Sequence, residues 1–88
     1  MTLKIETTSD GETATLRLIG RLESGSVGEL EAQVRRLRPR LVFDLDEVTL
    51  VDVAVVRFLI ACESEGVALV RCAPYIREWM GRERQPWS

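Results

Sequence analysis

Leu3 and Ile5 alternate with Lys4 and Glu6, so residues Thr2 to Thr7 read as a half-buried strand. Ser9-Asp10-Gly11 follows, and Asp-Gly between two such runs marks a hairpin. A second strand is predicted from about Thr13 to Gly20, with Ala14, Leu16 and Leu18 on one face and Thr13, Thr15 and Arg17 on the other. The spacing then changes. Val27, Leu30, Val34 and Leu37 form one helical stripe, preceded by Ser26-Val27-Gly28-Glu29, the pattern of a capping box with Ser26 as the cap. Glu29 and Glu31 fall early in this helix and the arginines late, which suits the dipole at both ends. Pro39 disfavours helix at Arg38 and stops it there.

Leu41-Val42-Phe43 is an unbroken apolar run of the kind buried on both faces in a parallel sheet. A turn is predicted at Asp46-Glu47, then a second extended run from Val48 to Val51. Asp52 offers an N-cap carboxylate to a helix whose apolar face is Val55, Phe58, Leu59 and Cys62, widened by Val56 and Ile60. Gly66 suits the left-handed residue that closes this helix, and Val67 to Val70 reads as another buried strand. Pro74 fits the first position of a last helix with Ile76, Trp79 and Met80 inward; Tyr75 and Trp79 read as rim or core residues, and Arg82 to Ser88 as a polar fraying tail. The order is β-β-α-β-α-β-α. This is an α/β fold with a mixed four-stranded sheet, an antiparallel hairpin at its edge, parallel later strands, and helices mainly on one face.

At 88 residues the chain is one domain, and its 45% hydrophobic content is that of a globular protein. No apolar run approaches the ~20 residues of a bilayer span, and the first residues lack the apolar core of a secretory signal, so the expectation is a cytoplasmic protein with no membrane insertion. Arg35, Arg36, Arg38 and Arg40 are better explained by a helix C-terminus than by nucleic acid, against a net charge of −2. Cys62 and Cys72 lack metal-ligand spacing and read as a buried pair of reduced thiols. The chain has no histidine, no metal-ligand cluster and no glycine-rich phosphate loop. Asp44, Asp46 and Asp52 read as solvated or capping carboxylates at strand ends and turns, with no nucleophile beside them. The sequence therefore points away from an enzyme and calls for no cofactor or metal.

The stretch Phe43-Asp44-Leu45-Asp46-Glu47-Val48-Thr49-Leu50-Val51-Asp52 resembles the signature of the STAS domain family, the anti-sigma-factor antagonists and the cytoplasmic domains of sulfate transporters. Leu18-Ile19-Gly20-Arg21-Leu22-Glu23-Ser24 resembles the family's Gly-Arg-Leu-Asp-Ser turn, and the element order agrees from Leu3 to about Met80. The second helix is about one turn shorter than the resemblance implies. At the family's phosphorylatable serine this chain has Val53, followed by Ala54 and Val55 in place of serine and glycine. A phosphate at a helix N-terminus meets exposed amides, yet adds up to about two negative charges to a docking surface. Valine has no hydroxyl, so that switch cannot operate at position 53.

The resemblance thus implies a protein-binding module outside phosphorylation control at the usual position. Its candidate contacts are Asp52, Val53, Ala54, Arg57 and Ser24, within a surface formed by residues Asp52 to Arg57 and the loop from Gly20 to Ser26. Asp52 is a helix cap in any case, and Val53 and Ala54 either pack inward or form an apolar docking patch. Thr49 is the alternative phosphoacceptor. The expected partner is an anti-sigma-factor or kinase-like regulator, or else a transporter subunit, with the domain a structural part of a transporter ATPase assembly; a small-ligand or nucleotide sensor is the third reading. The first hairpin also leaves a strand edge guarded only by Lys4 and Glu6, which opens a route to a homodimer.

Overall fold

The computed structural model describes residues 3–37 and 40–84. Its elements are β1 (Leu3–Ser9), β2 (Ala14–Leu22), α1 (Ser24–Leu37), β3 (Leu41–Val51), α2 (Val53–Ser64), β4 (Ala68–Val70) and α3 (Pro74–Arg84). The sheet order is β1-β2-β3-β4, with β1 antiparallel to β2 and the other pairs parallel. The hairpin forms where Asp-Gly predicts it. Asp10 Oδ1 accepts from the amides of Glu12 and Thr13, at 3.0 and 2.8 Å, and Gly11 takes φ 95°.

One face of the sheet carries the core. Leu16, Leu18 and Leu22 of β2 and Phe43 and Leu45 of β3 are buried, together with Leu69 of β4. Leu3 and Ile5 of edge strand β1 are partly buried against them. Leu30 and Val34 of α1, Val55, Val56, Phe58, Leu59 and Cys62 of α2, and Ile76 and Met80 of α3 close the core from the helical side. Phe43 meets Phe58 with ring centroids 6.2 Å apart. The motif ending α2 is complete: Gly66 at φ 102°, its amide donating to Glu63 O, and the Val67 amide donating to Cys62 O.

The predicted turn at Asp46-Glu47 does not form. β3 runs unbroken for 11 residues beside the 9 of β2, and the surplus is absorbed by two bulges. Arg17 faces Asp44 and Ile19 faces Glu47, then Gly20 faces Val48 and Arg21 faces Leu50. Each bulge shifts the alternation by one, so the buried core positions run 41, 43, 45, 48, 51. The polar pair that suggests a turn is the exposed rim of the first bulge. β4 is likewise not the buried strand expected: it is an edge strand of three residues in which Leu69 alone points inward.

Two further expectations change. Cys62 and Cys72 are both free thiols, but only Cys62 is buried and Cys72 is half-buried; burial pushes the Cys62 thiol up to about 12, so it stays protonated. Arg82 and Arg84 belong to the last turn of α3, where Arg84 meets Glu63 at 2.7 Å, and are not part of a fraying tail. The helix stop at Arg38-Pro39, the strand start at Thr2 and the tail beyond Arg84 with Trp87 lie outside the described residues. Among the described residues, no helix is long and apolar enough to cross a membrane.

Asp44 is the largest departure. It is neither solvated nor at a strand end: it sits within β3, 5% exposed, with Arg71 folded over it. Arg71 Nε donates to Asp44 Oδ1 at 3.2 Å and its terminal nitrogen donates to Oδ2, while the Asp46 amide donates to Oδ1 at 3.1 Å. Arg71 takes φ 54°, an unfavourable left-handed conformation for a residue with a side chain. The Arg71 hydrogen bond holds the Asp44 carboxyl below its ordinary value, against the opposing effect of burial. A carboxyl depressed in the folded state stabilises the fold fully above its unfolded value near ~3.9 and loses that stabilisation as pH falls through the lower folded value. Glycine tolerates φ 54°, so Arg71→Gly should remove the pair without backbone strain. Its urea midpoint is expected below that of the parent at pH 7, with the gap closing as acid protonates Asp44; a gap independent of pH would contradict this role.

Candidate functional site

Two parallel strands, β2 and β3, end side by side, with Leu22 in register with Val51. Each is followed by a helix after a single residue, Glu23 before α1 and Asp52 before α2. The amides of a helix's first turn have no partner within the helix, and here two such ends lie next to one another at the carboxyl edge of a parallel sheet, where α/β folds commonly place binding sites.

Asp52 serves both ends. Its backbone is extended, φ −118° and ψ 179°, and Oδ1 accepts from the Val55 amide at 3.0 Å, capping α2 as the sequence predicts. Oδ2 turns the other way and accepts from the Ser24 amide, the first of α1, at 2.9 Å. This second bond overturns the capping-box reading. Ser26 is the third residue of α1, its amide donates to Glu23 O at 2.8 Å, and the helix begins two residues before the predicted cap. Glu29 and Glu31 accordingly lie beyond the first turn, which holds no acidic residue of its own; the negative charge there comes from Asp52 across the gap between helices.

Of the other candidates, Ser24 is bonded to this carboxylate through its amide. Val53, the first residue of α2, is 40% exposed, while Ala54 is half-buried. Ser24 is exposed; its amide is committed to Asp52. Thr49 is exposed at the second bulge, opposite the Gly20–Arg21 step, where Gly20 takes φ 105°. Arg57 is one turn along α2 and turns toward α3, its Nε donating to Glu83 at 3.1 Å. Glu83 is thus a neighbour of the site that sequence reasoning assigned to the tail. Leu50 was also missed: the bulge at Thr49 swings it off the core face and leaves it 45% exposed, so Leu50 and Val53 flank the end of β3 as two large apolar side chains in water. A run of extended residues gives no sign of this, because the bulge depends on the partner strand.

A separate cleft of about 270 Å³ lies between later turns of α1 and α2, lined by Val34, Arg35, Phe58 and Cys62 among others, and includes none of these residues. No group of three or more metal-ligating side chains occurs among the described residues.

No protein-family model and no curated protein matches the sequence. The fold is similar to that of the anti-sigma factor antagonist SpoIIAA in its unphosphorylated form, with a TM-score of 0.70 and 18% identity over 98% of this chain and 86% of that one. The phosphorylated form of the Bacillus cell fate determinant SpoIIAA gives 0.69 and 16% over 94% and 84%. An antisigma-factor antagonist, STAS domain, from Rhodobacter sphaeroides gives 0.56 and 26% over 80% and 85%. The domain is therefore STAS-like in fold, as the Phe43–Asp52 and Leu18–Ser24 segments imply.

A carboxylate that caps two helices is worth more than one cap. Removing a single N-cap typically costs about 0.5–2 kcal/mol. Asp52→Ala, which strips both amides, is expected to cost about 1–4 kcal/mol in urea unfolding, the sum of two such caps. Ser24→Ala, which keeps the bonded amide, should change stability by less than about 0.5 kcal/mol. Equal costs for the two variants would mean that the serine hydroxyl, and not its amide, holds the junction.

Proposed function

We propose that this domain is a non-catalytic protein-docking module, meeting a protein regulator of the anti-sigma-factor or kinase type through the paired helix ends at Asp52, Val53, Ala54, Arg57 and Ser24. The observation that carries the reading is the exposure of Val53 at the first position of α2, beside a carboxylate that fixes both helix ends. A docking surface gains affinity from apolar side chains held on a rigid frame, since little conformational freedom is lost on binding. Val53 and Leu50 supply such side chains, and the one-residue connections at Glu23 and Asp52 hold the frame.

The fold likeness to anti-sigma-factor antagonists supports a protein as the partner class. One of those relatives is known in unphosphorylated and phosphorylated forms. The family resemblance implies position 53 for the phosphoacceptor, and this chain carries there an apolar side chain with nothing to phosphorylate. The docking face then stays in one electrostatic state, and binding is constitutive with respect to that position. Thr49 is exposed, yet it lies in the strand before the helix end and its hydroxyl is not at the α2 N-terminus.

Burying a valine-sized side chain is worth about 1.5–3 kcal/mol. Val53→Asp should therefore weaken binding by roughly tenfold or more. The measurement is affinity purification from the native cell followed by titration of the retained protein, with Glu12→Lys, in the hairpin at the opposite end of the sheet, as control. The expected outcome is loss with Val53→Asp, retention with Glu12→Lys, and no effect of phosphatase treatment. Equal binding by both variants would remove the helix ends from the docking surface, and release on phosphorylation of this chain would contradict the constitutive reading.

A further inference from the structure

The two edges of the sheet are built differently. β4 is three residues long, ends at Arg71 in a left-handed conformation and runs on to Pro74, so it offers almost no ladder to another strand. β1 is seven residues long, has no proline, and stays in unbroken register with β2 from Leu3 to Ser9. It carries neither the bulge nor the shortness that protects sheet edges.

The side chains of β1 fit a particular neighbour. Lys4 and Glu6 project on the face of the sheet away from the helices, 3.4 Å apart, and Glu6 also meets Arg17 at 3.6 Å. Arg17 in turn contacts Glu47. The open face thus carries a row of alternating sign, Glu47, Arg17, Glu6, that reaches the edge and stops there. Leu3, Ile5 and Thr7 lie on the core face.

The geometry points to a second copy of this chain on the β1 edge, joined antiparallel, strand to strand, about a two-fold axis at Ile5. In that register Lys4 faces the second copy's Glu6 and Glu6 faces the second copy's Lys4. Ile5 faces its own counterpart on the core side, and Leu3 faces Thr7. The charge row then continues across the junction as Glu47, Arg17, Glu6 and the second copy's Lys4. Directly opposed unlike charges stabilise an antiparallel pair, and like charges destabilise it. An axis at Lys4 or at Glu6 sets like charges against each other, and an axis at Thr7 sets Ile5 against Ser9. An axis at Ile5 avoids the like-charge contacts and sets Ile5 against an apolar side chain, leaving only Leu3 opposite a polar one. A closed isologous pair of this kind uses one edge on each copy and leaves no free β1 edge for growth. Because the two copies run antiparallel, their Asp52 ends point in opposite directions and both remain open. The inference concerns a surface separate from those helix ends and does not depend on them.

The test is sedimentation of the intact chain over roughly 1 µM to 1 mM, with folding checked by circular dichroism. The parent should show a concentration-dependent monomer–dimer equilibrium. Lys4→Glu and Glu6→Lys each place like charges at both contacts and should weaken self-association by roughly tenfold or more. Mixed together, the two variants restore both opposite-charge contacts and should form a heterodimer, and the double variant Lys4→Glu/Glu6→Lys should dimerise again. A parent that stays monomeric throughout the range overturns the inference. So does a dimer that is indifferent to the single reversals, or a mixture of the two variants that fails to associate. Should either variant fail to fold, the parent's own equilibrium and the double variant still decide the matter.

Discussion

One carboxylate joins the two helix starts at the carboxyl edge of the parallel strands. Asp52 gives one oxygen to the first turn of its own helix and the other to the first amide of α1. This geometry requires the two helix starts to be level, and the levelling is done by the sheet. β2 and β3 begin in register at Ala14 and Leu41 and finish in register at Leu22 and Val51, although β3 has two more residues to accommodate. Without its two bulges, β3 would reach the end of β2 at Thr49, and Asp52 would overshoot the α1 amide by two residues. The bulges, the glycine at φ 105° beside the second of them, and the double cap are therefore parts of one arrangement.

The two faces of the sheet divide the labour. The helical face is apolar and nearly closed to water, down to the Phe43–Phe58 contact. The open face is held by ion pairs: Lys4, Glu6, Arg17 and Glu47 form one row, and Asp44 with Arg71 forms a second. The exposed pairs of the first row stabilise weakly and act mainly by setting which strand can lie beside which. The Asp44–Arg71 pair differs, because its carboxylate is buried and would be costly to leave alone. Arg71 makes this contact from a backbone held at φ 54°.

What could be read in the sequence was local. The Asp10-Gly11 hairpin, the stripe of α1, the apolar face of α2, the Asp52 cap, the Gly66 closure and Pro74 at the start of α3 all depend on residues within one turn of each other. What could not be read depended on a second segment. The bulges exist only relative to β2, so Asp46-Glu47 imitated a turn and Leu50 gave no sign of its exposure. The second bond of Asp52 joins residues 28 positions apart, and in its absence Ser26-Val27-Gly28-Glu29 offered a local cap that the fold does not use. Arg71 and Asp44, 27 positions apart, were hidden for the same reason.

The central claim is that a single side chain, Asp52, holds both helix ends. It is tested most directly by NMR, comparing hydrogen exchange at the Ser24 and Val55 amides in the parent and in Asp52→Ala. Both amides should be protected in the parent, and both should lose that protection in the variant. A loss at Val55 with Ser24 unchanged would show that Asp52 caps α2 alone and that α1 is held by something else.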